Sequence, residues 1–225
     1  MTLSDNEDVR LGSIGVELYN DIETVGYYDG IEAQPTMESV LKKYKELQAS
    51  FTPSGKRPEE FLDRKKYQSN TLETARMLRD TGMPPGYFGG GVEAQNALSY
   101  FETAQKYVNN LRQEGVAFLT REHLEDINRL VNGHDLKDSV NVIRDYSAIS
   151  RERKLGLSWE FPKPEGLSNW LDEVVQWQID AQRAGVSNEE LSKNMADLLV
   201  RLHPFNDGNG RTAMLVEHFY SLNHQ

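Results

Sequence analysis

The chain has 225 residues, 38% of them hydrophobic and 27% charged, with a formal charge of −10 and no cysteine. That balance supports a packed core, excludes disulfides and thiolate metal sites, and argues against broad nucleic-acid binding, since like charges repel the phosphate backbone. No apolar run approaches the roughly 18 residues needed to span a bilayer, and the polar start Met1 to Asp8 is unlike a secretory signal, so neither a membrane nor a nucleic acid is expected as a partner.

Residues 1 to about 35 show no clear period. From Pro35-Thr36 onward, Val40, Leu41, Tyr44 and Leu47 recur at helical spacing, and Thr52-Pro53-Ser54-Gly55 breaks the helix. A second helix is expected from Pro58, a position where proline's missing N–H costs nothing, with Phe61, Leu62, Leu72, Ala75 and Leu78 apolar and Gly82 as its stop. Pro84-Pro85-Gly86 and Gly89-Gly90-Gly91 then mark a linker. They divide the chain into a helical extension over 1–90, expected to recognise a target or pack on its neighbour, and a main domain over 91–225.

In the main domain, Ala97, Phe101, Ala104, Val108 and Leu111 step by four and three toward Gly115. Thr120 is placed to cap a helix burying Leu124, Ile127, Leu130 and Val131. The helical period then lapses: 140–149 reads as extended chain, 157–161 alternates, and the basic turn Arg151-Glu152-Arg153-Lys154 lies between, the pattern of a hairpin. Ser168 is expected to cap a helix carrying Trp170, Leu171, Val174, Val175 and Trp177, closed by Gly185. Ser187 to Glu190 is a capping box for a helix with Leu191, Met195, Leu198, Leu199 and Leu202 on its apolar face. That helix must stop at His203, because Pro204 disfavours helical geometry in the residue before it. Helix resumes around Gly210, giving a mainly α fold with one short β-hairpin.

The chemistry gathers between those last two helices, over His203 to Thr212. Gly208-Asn209-Gly210 at a helix start offers backbone N–H groups to an anion, and glycine allows both positive φ and close approach. Arg211 can fork onto phosphate oxygens. Asp207 is one residue upstream, where a carboxylate can ligate Mg2+ bridging two phosphates. His203 can take a proton from an incoming hydroxyl, and Phe205 is expected to be buried and to hold the loop in shape. The pattern predicts attack by a hydroxyl on a phosphorus atom of a bound nucleotide.

His-Pro-Phe-x-Asp-Gly-Asn-Gly-Arg, matched without a gap over 203–211, resembles the signature of the Fic (Fic/Doc) family. The resemblance extends more weakly over about 92–225. There 142–144 stands where the family has Gly-x-Tyr/Phe-Arg, without the glycine. It implies a Fic-type helical bundle with a short β-hairpin flap, preceded by the helical extension. It also implies a protein adenylyltransferase that moves AMP from ATP to a Ser, Thr or Tyr hydroxyl. On that reading His203 is the general base and Asp207 the Mg2+ ligand. Asn206, Gly208, Asn209, Gly210 and Arg211 bind the nucleotide and its phosphates. The hairpin is the flap that docks a target segment by strand addition, with Tyr146, Ile149, Leu157 and Trp159 as its docking residues. Such a protein is expected to be cytoplasmic, or an effector secreted into a host cell, and restrained by a separate antitoxin or regulator.

Met214 stands where many AMP-transferring relatives carry a second arginine for the γ-phosphate. Transfer of UMP, of phosphocholine or, as in Doc proteins, of the γ-phosphate therefore stays open. A nucleotide-sensing module without transfer and a hydrolase rank below these. Ser13 to Leu18 matches the family's inhibitory helix only in part, so Glu17→Gly is expected to leave activity unchanged.

Overall fold

The protein was analysed as a computed structural model, which describes residues 34–52, 54–55, 91–152 and 157–222. The expected helix from Pro58 to Gly82, the segment around Glu17 and the turn residues Arg153 and Lys154 lie outside the described residues.

Helix α1 (Met37–Ser50) starts at Thr36, whose hydroxyl accepts from the Ser39 amide while the Ser39 hydroxyl accepts from Thr36. Its apolar face buries Val40 and Leu47, continuing into Phe51. The contact is specific, because the indole of Trp177 donates to the Val40 carbonyl at 3.1 Å and Phe51 meets Trp170 edge-on at 5.3 Å. Pro35–Gln225 accordingly forms one compact unit.

Helix α2 (Gly91–Gln113) buries Ala97, Phe101, Ala104, Val108 and Leu111, the predicted stripe. Helix α3 (Arg121–Val131) is capped by Thr120 as expected: its hydroxyl accepts from the His123 amide, and its own amide donates to His123 Nδ1. Helix α4 (Leu167–Arg183) corrects the expectation for Ser168: its N-cap is Gly166, at φ 91°, and Ser168 lies inside the first turn. The Pro164-Glu165-Gly166 turn has already reversed the chain there, and fully buried Leu167 draws the start inward. Helices α5 (Asn188–Leu202) and α6 (Asn209–Ser221) flank the motif loop and make the most extensive helix contact of the molecule, with α2 and α3 packed on α6 and α4 on α5. Leu191, Met195, Leu198 and Leu202 of α5 and Leu215, Val216 and Phe219 of α6 are fully buried. At about 1.5–3 kcal/mol for each large apolar side chain, this pair forms the firm base on which the loop between them rests.

Strands β2 (Ile149–Glu152) and β3 (Leu157–Glu160) pair antiparallel, Ile149 opposite Glu160 and Glu152 opposite Leu157. Strand β1 (Ser54–Gly55), read from sequence only as a breaker, pairs with the other side of β3, so the order is β1-β3-β2.

Candidate active site

Helix α5 ends on His203 itself, its C-cap, in the left-handed conformation at φ 51° and ψ 56°. No other non-glycine among the described residues has positive φ. For an L-residue that geometry costs about 1–2 kcal/mol, so the surroundings must hold it. They do so through the extended stretch that precedes β2. Ile143 bridges Phe205, the Arg144 amide donates to the Pro204 carbonyl at 3.0 Å, and the Asn206 amide donates to the Val142 carbonyl at 2.9 Å. The Arg144 side chain is buried, and its Nε donates to the His203 carbonyl at 2.6 Å. Its other two nitrogens donate to the carbonyls of Tyr146 and Pro162. Burial pushes the Arg144 guanidinium below its ordinary pKa, and three carbonyl dipoles compensate the charge.

The rest of the loop is closed from within. Phe205 is buried as expected. The side chain of Asn209 binds the backbone of Phe205 at both ends, accepting from its N–H at 2.9 Å and donating to its carbonyl at 2.8 Å. Asn206 is tied outward: its amide donates to the Asn141 carbonyl at 3.0 Å and its own carbonyl accepts from the Tyr146 hydroxyl at 2.8 Å. The side chains of Asn206 and Asn209 thus shape the loop.

The imidazole of His203 lies flat against Phe161, ring centroids 3.9 Å apart and planes 17° from parallel. Its Nδ1 is buried with no hydrogen-bond partner. Desolvation first, and the Arg144 charge second, hold the His203 pKa down at about 4; the Val200 backbone and the Asp207 carboxylate act weakly the other way. At neutral pH the imidazole is therefore uncharged and can accept a proton.

Helix α6 begins at Gly208, at φ 75°, with no side-chain cap on its first turn. The amides of 209–211 consequently lack intrahelical acceptors, and the positive end of the helix dipole faces outward. Glycine is required here on two counts, since a Cβ at 208 would come within 2.9 Å of Val131 Cγ2 as well as suffering the positive φ. Asp207 is fixed by its backbone and exposed at its side chain. Its carbonyl accepts from Asn128 at 2.8 Å and Asn132 at 3.2 Å, while its carboxylate is 81% exposed. One carboxylate oxygen accepts from the Gly208 amide at 2.7 Å and the other from Arg211 at 3.2 Å. Arg211 also covers the end of α3, donating to the Val131 carbonyl at 2.7 Å and to Asn132 at 2.9 Å.

The predicted motif residues thus lie together at the α5–α6 junction, Asn206 and Asp207 exposed and Phe205, Gly208 and Asn209 buried. Tyr146 and Ile149 are 48% and 47% exposed beside it, Tyr146 bonded to the motif loop. Leu157 and Trp159 lie on β3, and their side chains are outside the described residues. Met214 packs partly buried against the core. Among the described residues no group of three or more His, Cys, Asp and Glu side chains gathers to hold a metal, and no helix is long and apolar enough to cross a membrane. Sequence reasoning did not single out Phe161, Asn128 or Asn132. Each acts from another element, and only the lone arginine inside the apolar stretch at 142–144 gave a local signal.

The domain is mainly helical, and a helix ended by a histidine runs through a tight loop into an uncapped, glycine-started helix. Residues 118–221 match the Fic/DOC family. It is 28% identical over 153 residues to the protein adenylyltransferase Fic of Culex quinquefasciatus, covering 66% of this chain and 29% of that protein. It is 30% identical over 130 residues to the uridine 5'-monophosphate transferase of Xanthomonas campestris pv. campestris, covering 53% of this chain and 24% of that protein. The chain therefore spans less than a third of the length of these curated relatives. A Fic domain containing signaling protein from Bacteroides thetaiotaomicron shares the fold, with a TM-score of 0.55 at 20% identity over 83% of this chain and 67% of that one.

Proposed function

We propose that this chain is a protein nucleotidyltransferase that moves AMP from ATP to the hydroxyl of a Ser, Thr or Tyr on a target protein, releasing pyrophosphate. The observation that carries the reading is the content of one loop. A neutral imidazole, an exposed carboxylate and an uncapped helix N-terminus lie within residues 203–211, and the protein adenylyltransferases among its relatives supply the donor.

In this mechanism His203 accepts the proton of the target hydroxyl as its oxygen bonds to the α-phosphorus. The bond from that phosphorus to the β-bridging oxygen breaks, and pyrophosphate carries away the electron pair. The first-turn amides at Asn209 and Gly210 and the guanidinium of Arg211 bind the phosphates. The Asp207 carboxylate fits a Mg2+ ion, which is typically bound by one or two carboxylates together with substrate phosphates and water; when bound, that ion offsets the charge on the phosphates. Asn206 borders the nucleotide while anchoring the loop. With the order β1-β3-β2, β2 is the longer of the two edge strands, four residues against two in β1. A target segment adds there as a strand, next to Tyr146 and Ile149, with Leu157 and Trp159 across the hairpin. Residues 1–90 are the part we assign to target recognition, 91–225 to catalysis. The chain acts in a cytoplasm, its own or a host's, and a separate antitoxin or regulator restrains it.

One alternative has its own support. The relationship to a uridine 5'-monophosphate transferase and the methionine at 214 favour UMP as the second candidate for the transferred group. The test incubates the protein with cell lysate and each of the four nucleoside triphosphates, labelled at the α- or γ-phosphate, in Mg2+. Label reaching protein from α-labelled ATP, and not after His203→Ala, is the expected outcome. Label arriving only from the γ position refutes nucleotidyl transfer, and label from UTP in place of ATP selects the alternative.

A further inference from the structure

Once the base is assigned, the question is what aims it. At Nδ1 His203 has no well-formed hydrogen bond, and the Val200 backbone acts on the ring only weakly. Its plane is set instead by the aromatic face of Phe161, at 3.9 Å and 17°. Phe161 directly follows Glu160, the last residue of β3, and its own amide donates to the Ala148 carbonyl just before β2, at 3.0 Å. It is the residue that closes the foot of the hairpin.

A second contact links the same two places. The Arg144 guanidinium spans the carbonyl of His203, that of Tyr146 ahead of β2, and that of Pro162 next to Phe161. One buried cation thus fixes the backbone that carries the imidazole and the backbone that carries the phenyl ring. The stack cannot slide unless a buried guanidinium gives up carbonyl partners, and bonds to a charged group are among the stronger hydrogen bonds.

We propose that Phe161 is the positioning residue of His203: it sets the plane of the imidazole by stacking, and through its place at the hairpin foot it makes that orientation depend on the seating of the β2–β3 hairpin. The consequence for the reaction is selective. A base that is present but free to rotate loses alignment with the incoming hydroxyl, whereas the phosphate-binding amides of α6 are untouched. Phe161 therefore acts on turnover and not on nucleotide affinity. The inference rests on the reading of His203 as the base, but the stack can be measured without any activity.

The test compares the full chain with Phe161→Ala, Phe161→Leu and Phe161→Tyr. The first readout is the 13C–1H spectrum of the histidine rings at pH 7.5, the His203 signal being assigned by its loss in His203→Ala. Stacking displaces that signal upfield in the wild type and in Phe161→Tyr, and the displacement disappears in Phe161→Ala and Phe161→Leu. The second readout is the initial rate of lysate-protein labelling from α-labelled ATP, titrated in ATP. Phe161→Ala lowers apparent kcat about 10- to 100-fold, the order expected for a misplaced catalytic group, with the apparent KM for ATP changed less than about threefold. Phe161→Tyr restores kcat to within about threefold of wild type. Phe161→Leu retains apolar bulk and serves if the alanine variant does not fold. An unmoved His203 signal in the leucine or alanine variant overturns the inference, and so does a wild-type kcat. If the wild type labels no protein, or His203→Ala still labels, it is the proposed function that fails, and the ring signal alone decides the role of Phe161.

Discussion

The depressed pKa of His203 makes a stability prediction that does not depend on any substrate. In the folded state the group titrates at about 4, against an ordinary 6.5 once the chain is unfolded. Between those values the unfolded chain binds a proton that the folded one does not, so stability rises with pH across that window and falls as the solution is acidified through it. The full difference corresponds to roughly 3 kcal/mol, at about 1.4 kcal/mol per pH unit of displacement, and roughly 2.5 kcal/mol of it is lost between pH 7.5 and 4.5. Other groups also titrate there, so the comparison is with His203→Ala, which keeps all of them. Urea unfolding of both proteins at pH 7.5, 6.5, 5.5 and 4.5 gives two curves. The wild type is expected to lose about 2 kcal/mol more than the variant over that span. Curves that run parallel refute the buried neutral imidazole, and with it the account of why this histidine is ready to accept a proton. A base that titrates at about 4 also predicts no loss of labelling attributable to His203 between pH 8 and 5.5.

Three further outcomes follow from the geometry around it. Gly208→Ala places a Cβ within 2.9 Å of Val131 at φ 75°; it is expected to cost about 2 kcal/mol or more and to abolish labelling, as read by thermal unfolding and the α-labelled ATP assay. Asp207→Asn touches an exposed carboxylate whose backbone is held independently. Its stability should stay within about 0.5 kcal/mol of wild type, while Mg2+-dependent labelling falls at least about tenfold. Asn128→Ala removes a buried donor to both the Asp207 carbonyl and the Thr212 hydroxyl; a loss of about 1–3 kcal/mol in urea unfolding is expected, with weaker labelling than wild type even at a temperature where the variant is fully folded.

How much of this was legible in the chain differs by residue, and the differences have physical causes. The helices of the main domain were readable because their apolar faces repeat at 3.6 residues and their ends carry local signals: Thr120 and the His203-Pro204 stop behave as read, while Ser187 caps α5 through the Glu190 amide without the reciprocal side-chain bond of the expected box. Ser168 misled because a good capping residue was outweighed by a glycine turn and a leucine that had to be buried two and one residues earlier. The backbone shape of the motif loop was readable because it is locally encoded: glycine at 208 and the helix start beside it lie where the pattern puts them. Its side chains were less so. Asn209 looked like a phosphate ligand and spends its amide on Phe205, and Arg211 spends part of its fork on the end of α3. Phe161, Asn128 and Asn132 could not be found at all, since their meaning comes from pairings across 42, 79 and 75 positions of sequence. Local pattern is therefore enough to nominate the groups proposed to meet the nucleotide, because a phosphate is met by a short run of amides. The groups that aim the histidine are dispersed, because holding a strained residue still takes supports from several directions. Arg144 stands between the two: the resemblance noted its position at 142–144, yet only the fold reveals that it clamps the hairpin foot and the motif loop to one another.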